Sequence, residues 1–160
     1  MAAATKTSDC TLCQRLGLKP FNTHNIFFYY APLHSLVSYG ALSVNVLSPQ
    51  MASRLIPKRD VTNFLLIHTL FGTTLYIYSR PHLQSIDTKK RIAFSVIGSS
   101  LFTFGSVLIW AIVRSSIPHN AALGTIVGLA SGYGIARLSY EYLKHVDTIA
   151  AGKKTITESA

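Results

Sequence analysis

Apolar residues gather in four blocks along this chain, and almost every charged side chain sits in the stretches between them. A hydrocarbon layer of about 30 Å is crossed by roughly 20 residues of helix rising 1.5 Å each. Two blocks meet that demand without any charge, Ile92 to Val113 and the shorter Val61 to Tyr78. A third, from Ala121 to Leu143, stays apolar up to Arg137, whose long side chain can reach a nearby interface. The first, Ile26 to Leu47, is diluted by Pro32, His34 and Asn45, and a re-entrant or interfacial helix is the alternative for it. The expected fold is all-α: a polytopic membrane protein, a four-helix transmembrane bundle with short loops. Its spans are 26–47, 61–78, 92–113 and 121–143, between an N-terminal tail (1–25) and a flexible C-terminal tail (144–160).

Composition agrees with lipid as the solvent. Of the 160 residues, 49% are hydrophobic and only 13% charged, where a soluble domain carries about 25% charged. The net charge of +9 raises the possibility of nucleic acid, but such binders concentrate Lys and Arg on one strip with aromatics to stack on bases. No such run exists, and nucleic acid is not an expected partner. The stretch Met1 to Asn25 lacks the continuous apolar core of a secretory signal. It is acid-poor, with Lys6, Arg15 and Lys19 against Asp9, which favours a mitochondrial protein. The C-terminal Thr157-Glu158-Ser159-Ala160 matches no receptor-read address.

Basic residues also orient the spans, because Lys and Arg accumulate on the cytoplasmic or matrix-like side. With four spans, eleven fall on one side (Lys6, Arg15, Lys19; Arg80, Lys89, Lys90, Arg91; Arg137, Lys144, Lys153, Lys154) and four on the other (Arg54, Lys58, Arg59, Arg114). With three spans the division is seven against eight and the asymmetry vanishes. Both termini are therefore expected on the same, positive side. Aromatic residues repeat the pattern: Phe27 to Tyr30, Tyr76 with Tyr78, and Tyr140 with Tyr142 fall at that interface, and Trp110 is expected at the opposite one.

Helices in lipid associate through small residues and a few polar contacts. Gly124, Gly128 and Gly132 lie four residues apart on one face, with Gly134 beside them, and Ser95, Gly98, Ser99, Gly105 and Ser106 form a comparable seam on the third segment. These two faces are expected to meet, within one chain rather than between two.

Chemistry is sparse. Cys10 and Cys13 form a single CxxC, the spacing of a redox dithiol, of half a zinc site with His24 as the one nearby further donor, or of a disulfide in an oxidising compartment. His34 and His68 fall inside adjacent spans, about 12 and 15 Å from the positive side at 1.5 Å per residue. They could share a haem, relay protons, or hydrogen-bond between helices, the last being the commoner use. No carboxylate lies within a span, because Asp60 and Asp87 fall in loops and Glu141 near an interface, so the usual acidic proton relay is missing. No Ser-His-Asp order, phosphate-cradling glycine loop or HExxH motif occurs, and neither an enzyme nor a cofactor is expected.

Several short stretches carry a likeness. Ser38-Tyr39-Gly40-Ala41-Leu42 is similar to a Tyr/Phe-Gly-Ala-His-Gly signature and is followed by Leu47-Ser48-Pro49-Gln50. Phe64 to Leu70, with His68, looks like a His-Ala/Ser-Leu stretch. Phe104-Gly105-Ser106-Val107-Leu108 looks like Phe-Ser-Gly-Ser-Leu-Tyr, and Pro118 with Gly124 and Gly128 is similar to a Pro-x-Gly-Gly entry. Together, over residues 30–136, they make the chain resemble the small YgdD-like membrane proteins, the group that includes transmembrane protein 256. It departs from them in having Leu42 where they have His, and in the displaced glycine pair. The resemblance implies four membrane helices without established activity, located in the bacterial inner membrane or associated with mitochondria. The leading expectation is a non-enzymatic accessory or assembly component of a larger mitochondrial inner-membrane complex, with the lipid bilayer and other membrane proteins as partners. A small channel or transporter using His34 and His68 is the second, and a haem or redox carrier the third.

Overall fold

The computed structural model describes residues 22–50, 61–118 and 120–158, with only the backbone of His24 and of residues 154–158. Among these residues every regular element is helical, and four long helices dominate: α1 (Ala31–Leu47), α2 (Thr62–Tyr78), α3 (Thr88–Ser116) and α4 (Ala121–Glu158). Cys10, Cys13 and the basic residues of both the N-terminal tail and the first loop lie outside the described residues.

Pro32 explains how α1 begins. Proline has no N–H to give the carbonyl four residues back, and its ring collides with that carbonyl. The chain widens into a π-helical turn, Ile26–Tyr30, continuous with a short helical turn at Thr23–Asn25, and the Ala31 N–H reaches the Ile26 carbonyl five residues away. Pro32 then stands in the first turn of α1, directly after the π-helical turn, so its ring and its missing N–H fall where the four-residue hydrogen-bond ladder is already interrupted. The helical run stays continuous from Thr23 to Leu47.

The α2–α3 connection holds a 3-10 turn at Pro81–Leu83. Arg91 spans it, donating from Nε and Nη2 to the Tyr78 carbonyl (2.9 and 2.5 Å) with its guanidinium 3.9 Å from the Tyr78 ring centre. A cation at the end of α2 suits the negative pole of that helix. The α3–α4 connection is short, and the Asn120 side chain accepts the Ala122 N–H (3.0 Å), capping the start of α4.

α4 does not stop near Leu143. It runs on through the segment expected to be a flexible tail, to Glu158. No proline follows Leu143 to end it, and Asp147 ties it to the α2–α3 loop through Arg80 Nη2 (2.6 Å) and through His82 Nδ1 (2.6 Å) and N (3.2 Å). At 38 residues it is about 57 Å long.

α1 is the centre of the bundle, packed on α2, α4 and α3, whereas α3 and α4 scarcely touch. The expected seam between the two small-residue faces is therefore not what forms. A Cβ on Gly124 would lie 2.9 Å from the Leu47 carbonyl oxygen, and on Gly128 3.1 Å from that of Ser43, so the glycine ridge of α4 lies directly against the backbone of α1. On α3, Gly98 faces Ile77 of α2, the Ser99 and Thr74 hydroxyls meet at 2.6 Å, and Ser106 accepts the Tyr39 hydroxyl of α1 (2.9 Å). Gly105 and Gly134 face open space.

Trp110 is also differently placed from the expectation of an interfacial anchor. Its side chain is fully buried, 5.0 Å from Tyr39 centre to centre, in a core with Leu42 and Leu47. The α3 helix continues to Ser116, which sets Trp110 well inside the bundle. Around this small apolar centre the buried side chains are hydroxyls: Ser35, Ser38, Ser43, Ser48, Thr69, Ser95, Ser99, Thr103 and Ser106. By length and composition, α3 and the part of α4 from Ala121 to Lys153 are apolar enough to cross a membrane.

Candidate functional site

The polar contact with the most chemistry lies between α1 and α2. His34 Nδ1 and His68 Nε2 stand 2.6 Å apart, with the rings edge to face and their centroids 4.7 Å apart. Gly72 brings them together. It sits one turn beyond His68 on the same face, and a Cβ there would overlap the Ser35 side chain and come within 3.0 Å of the Ala31 carbonyl oxygen. Without that Cβ the two backbones close up, and His34, next to Ser35, meets His68. Phe64, one turn before His68, lies over its ring with centroids 5.9 Å apart and planes 18° apart.

The shared hydrogen bond leaves each ring one further nitrogen. In a neutral pair one ring donates N–H and the other accepts, so their remaining nitrogens, His34 Nε2 and His68 Nδ1, comprise one N–H and one bare lone pair, whichever way round. The pair is partly exposed at the helix surface, among large apolar side chains such as Val37, Phe64 and Ile67 that are about two-thirds exposed. The geometry does not suit an iron held between the rings, since two metal–nitrogen bonds of about 2 Å on opposite sides require the nitrogens about 4 Å apart. Among the described residues no group of three or more His, Cys, Asp or Glu converges on a point.

A second polar cluster joins the α2–α3 loop to α4. Arg80 and His82 each engage one Asp147 carboxylate oxygen, Arg80 Nη1 also donates to the Tyr76 hydroxyl (3.0 Å), and the Arg80 guanidinium lies 5.2 Å from the Tyr76 ring centre. Arg80 was visible in the sequence as a loop cation, but its partner was hidden inside what read as a tail. At the other end of the bundle a cavity of about 360 Å³ is lined by Val46, Ser48, Arg114, Ile117 and Asn120 among others. Among the described residues Arg114 is the single charged residue on that wall, and it donates to the Val46 carbonyl (3.4 Å).

Neither cluster assembles a nucleophile with a base and an oxyanion donor. No protein family, curated protein or solved structure matches this chain. What the residues themselves can do is hold helices in register and present hydrogen-bonding groups on an apolar surface.

Sequence reasoning singled out His34 and His68 and placed them at similar depth. It missed Gly72, although His68-x-x-x-Gly72 carries the signal: four-residue spacing puts a small residue beneath the imidazole.

Proposed function

We propose that this chain is a non-catalytic integral membrane protein, a bundle of four spans with both termini on the matrix-like side. It serves as an accessory or assembly component of a mitochondrial inner-membrane complex. The observation that carries the membrane reading is an inverted distribution of polarity. Among the described residues five large hydrophobic side chains are buried and 25 are exposed, while nine serines and threonines are buried. In water such a surface has no use, since the interior holds the hydroxyls and the outside holds the oil. In lipid it is the ordinary arrangement, with small polar residues joining helices and Leu, Ile and Phe facing acyl chains. α1 and α2, 17 residues each, reach the lower limit of a span, and α3, at 29 residues or about 43 Å, exceeds it.

The accessory role is supported by a partly exposed polar pair on an apolar flank, which lipid cannot satisfy and a protein neighbour can. The resemblance of residues 30–136 to the YgdD-like group points to the same compartment. Alkaline carbonate extraction of isolated mitochondria should leave the chain in the membrane pellet. Tags on both termini should resist protease until the inner membrane is opened, and mild-detergent native gels should place the chain in a larger assembly. Release into the carbonate supernatant, or termini on opposite sides, would refute the topology. Migration solely as a free monomer would refute the accessory role.

The contact between His34 and His68 favours a second reading, a small channel or transporter. Proton or ion flux through the purified chain in vesicles that falls when both are replaced by Leu would establish it in place of the first.

A further inference from the structure

We infer that the cavity where α1, α3 and α4 meet holds an anionic phospholipid, with its phosphate on Arg114 and its chain against the apolar wall. The inference rests on the membrane reading above, which surrounds the bundle with such lipid. Depth, shape and charge at this one place select the occupant.

Arg114 lies two residues before the end of α3 (Thr88–Ser116), and that helix is longer than the hydrocarbon layer. Its guanidinium therefore stands at headgroup depth. The walls divide by chemistry: Val46, Leu47, Ala111 and Ile117 are apolar, whereas Arg114 and Asn120 offer N–H donors. At about 360 Å³ the space falls within the roughly 300–1,000 Å³ of small-molecule sites, and an inorganic anion on Arg114 would leave the apolar wall uncovered. Inward from the cavity α3 and α4 scarcely touch, so an acyl chain can pass between them at the cost of few packed contacts.

The charge is arranged for a phosphate. The one hydrogen bond of Arg114 among the described residues runs to the Val46 carbonyl at 3.4 Å, which turns the side chain across the cavity and leaves most of its N–H donors unused. A planar guanidinium fits two oxygens of one phosphate. Asn120, Ala121 and Gly124 line the same cavity, so the positive pole of the 38-residue α4 faces it as well. No Asp or Glu lines it among the described residues. A zwitterionic headgroup would find no partner there for its ammonium, whereas a headgroup of net negative charge needs none.

The test uses the full chain, purified in mild detergent and freed of lipid, then mixed with equal amounts of phosphatidylglycerol and phosphatidylcholine bearing identical acyl chains. Native mass spectrometry should show one phosphatidylglycerol bound at about tenfold higher occupancy or more, the equivalent of one charge-assisted contact. Arg114→Gln should lower it to the phosphatidylcholine level. Arg137→Gln, which removes an exposed charge paired with Glu141, should leave it unchanged. Ala111→Phe, which fills the cavity and keeps the charge, should lower occupancy as Arg114→Gln does. Circular dichroism reports whether each variant remains helical. Equal occupancy of the two lipids, or an equal fall in both arginine variants, would overturn the inference. Undiminished binding to Ala111→Phe would place the lipid elsewhere and overturn it too, and displacement by millimolar inorganic phosphate would assign the site to the free anion. Release of the unmodified chain by carbonate would instead refute the membrane reading, and the two failures are thereby told apart.

Discussion

Replacing the α4 glycines by alanine tests the central packing of the bundle. A Cβ on Gly124 would meet the Leu47 carbonyl oxygen at 2.9 Å and Ser48 Cβ at 3.3 Å, and one on Gly128 would meet the Ser43 carbonyl oxygen at 3.1 Å. These neighbours are mostly backbone, which cannot turn aside as a side chain can. α1 and α4 must separate by several tenths of an ångström. Overpacking of this kind costs about 1–3 kcal/mol per site, against about 1 kcal/mol gained when alanine replaces glycine within a helix. Gly124→Ala with Gly128→Ala should therefore lose about 2 kcal/mol. Gly134→Ala and Gly105→Ala, which meet nothing within 4 Å, should be neutral or gain up to about 1 kcal/mol.

The assay is reversible unfolding in mixed micelles of rising dodecyl sulfate fraction, followed by far-ultraviolet circular dichroism and Trp110 emission. Gly132→Ala adds an internal check. Its Cβ would press on the Ser43 side chain, with Oγ at 3.1 Å and Cβ at 3.3 Å, so Ser43→Gly should relieve Gly132→Ala but leave the cost of Gly128→Ala unchanged. If the Gly124/Gly128 double variant withstands as much dodecyl sulfate as Gly134→Ala, α1 and α4 are not in contact through this ridge.

Three further expectations follow from single contacts. Trp110→Ala, which empties a fully buried site beside Tyr39, should cost about 3 kcal/mol in the same unfolding assay, whereas Leu108→Ala, 65% exposed, should cost little. Tyr39→Phe deletes the hydroxyl that donates to Ser106 at 2.9 Å and should cost about 1 kcal/mol, since Ser106 keeps its own bond to the Phe102 carbonyl (2.7 Å). Asp147→Asn removes the charge that holds Arg80 and His82, and amide hydrogen exchange should quicken in the part of α4 beyond Leu143 while the residues of α1 keep their protection.

Hydrophobicity along the chain was enough to mark four helical segments, because each is a long, mostly uncharged apolar stretch. It could not choose neighbours. Spacing places Gly124, Gly128 and Gly132 on one face of α4, yet says nothing of which of three helices that face meets. On the membrane reading proposed above the solvent is as apolar as the side chains, and burying oil contributes little to the choice. The choice falls to close-approach sites and hydroxyls, and their partners lie far apart in sequence: Gly128 against Ser43, Ser106 against Tyr39, Asp147 against Arg80 and His82. Trp110 shows the same limit from the other side. An amphipathic ring reads as a headgroup anchor by residue type alone, and only the position of Tyr39 on α1 makes it a core residue. The histidines were more legible because two rare polar groups at matching depth in adjacent apolar segments leave few alternatives. Even there the decisive residue was Gly72, whose contribution is the side chain it lacks. In a bundle of this composition the pairing of helices is therefore written mainly in its smallest and most polar residues, and substitutions there should disturb assembly more than equally large changes on the apolar surface.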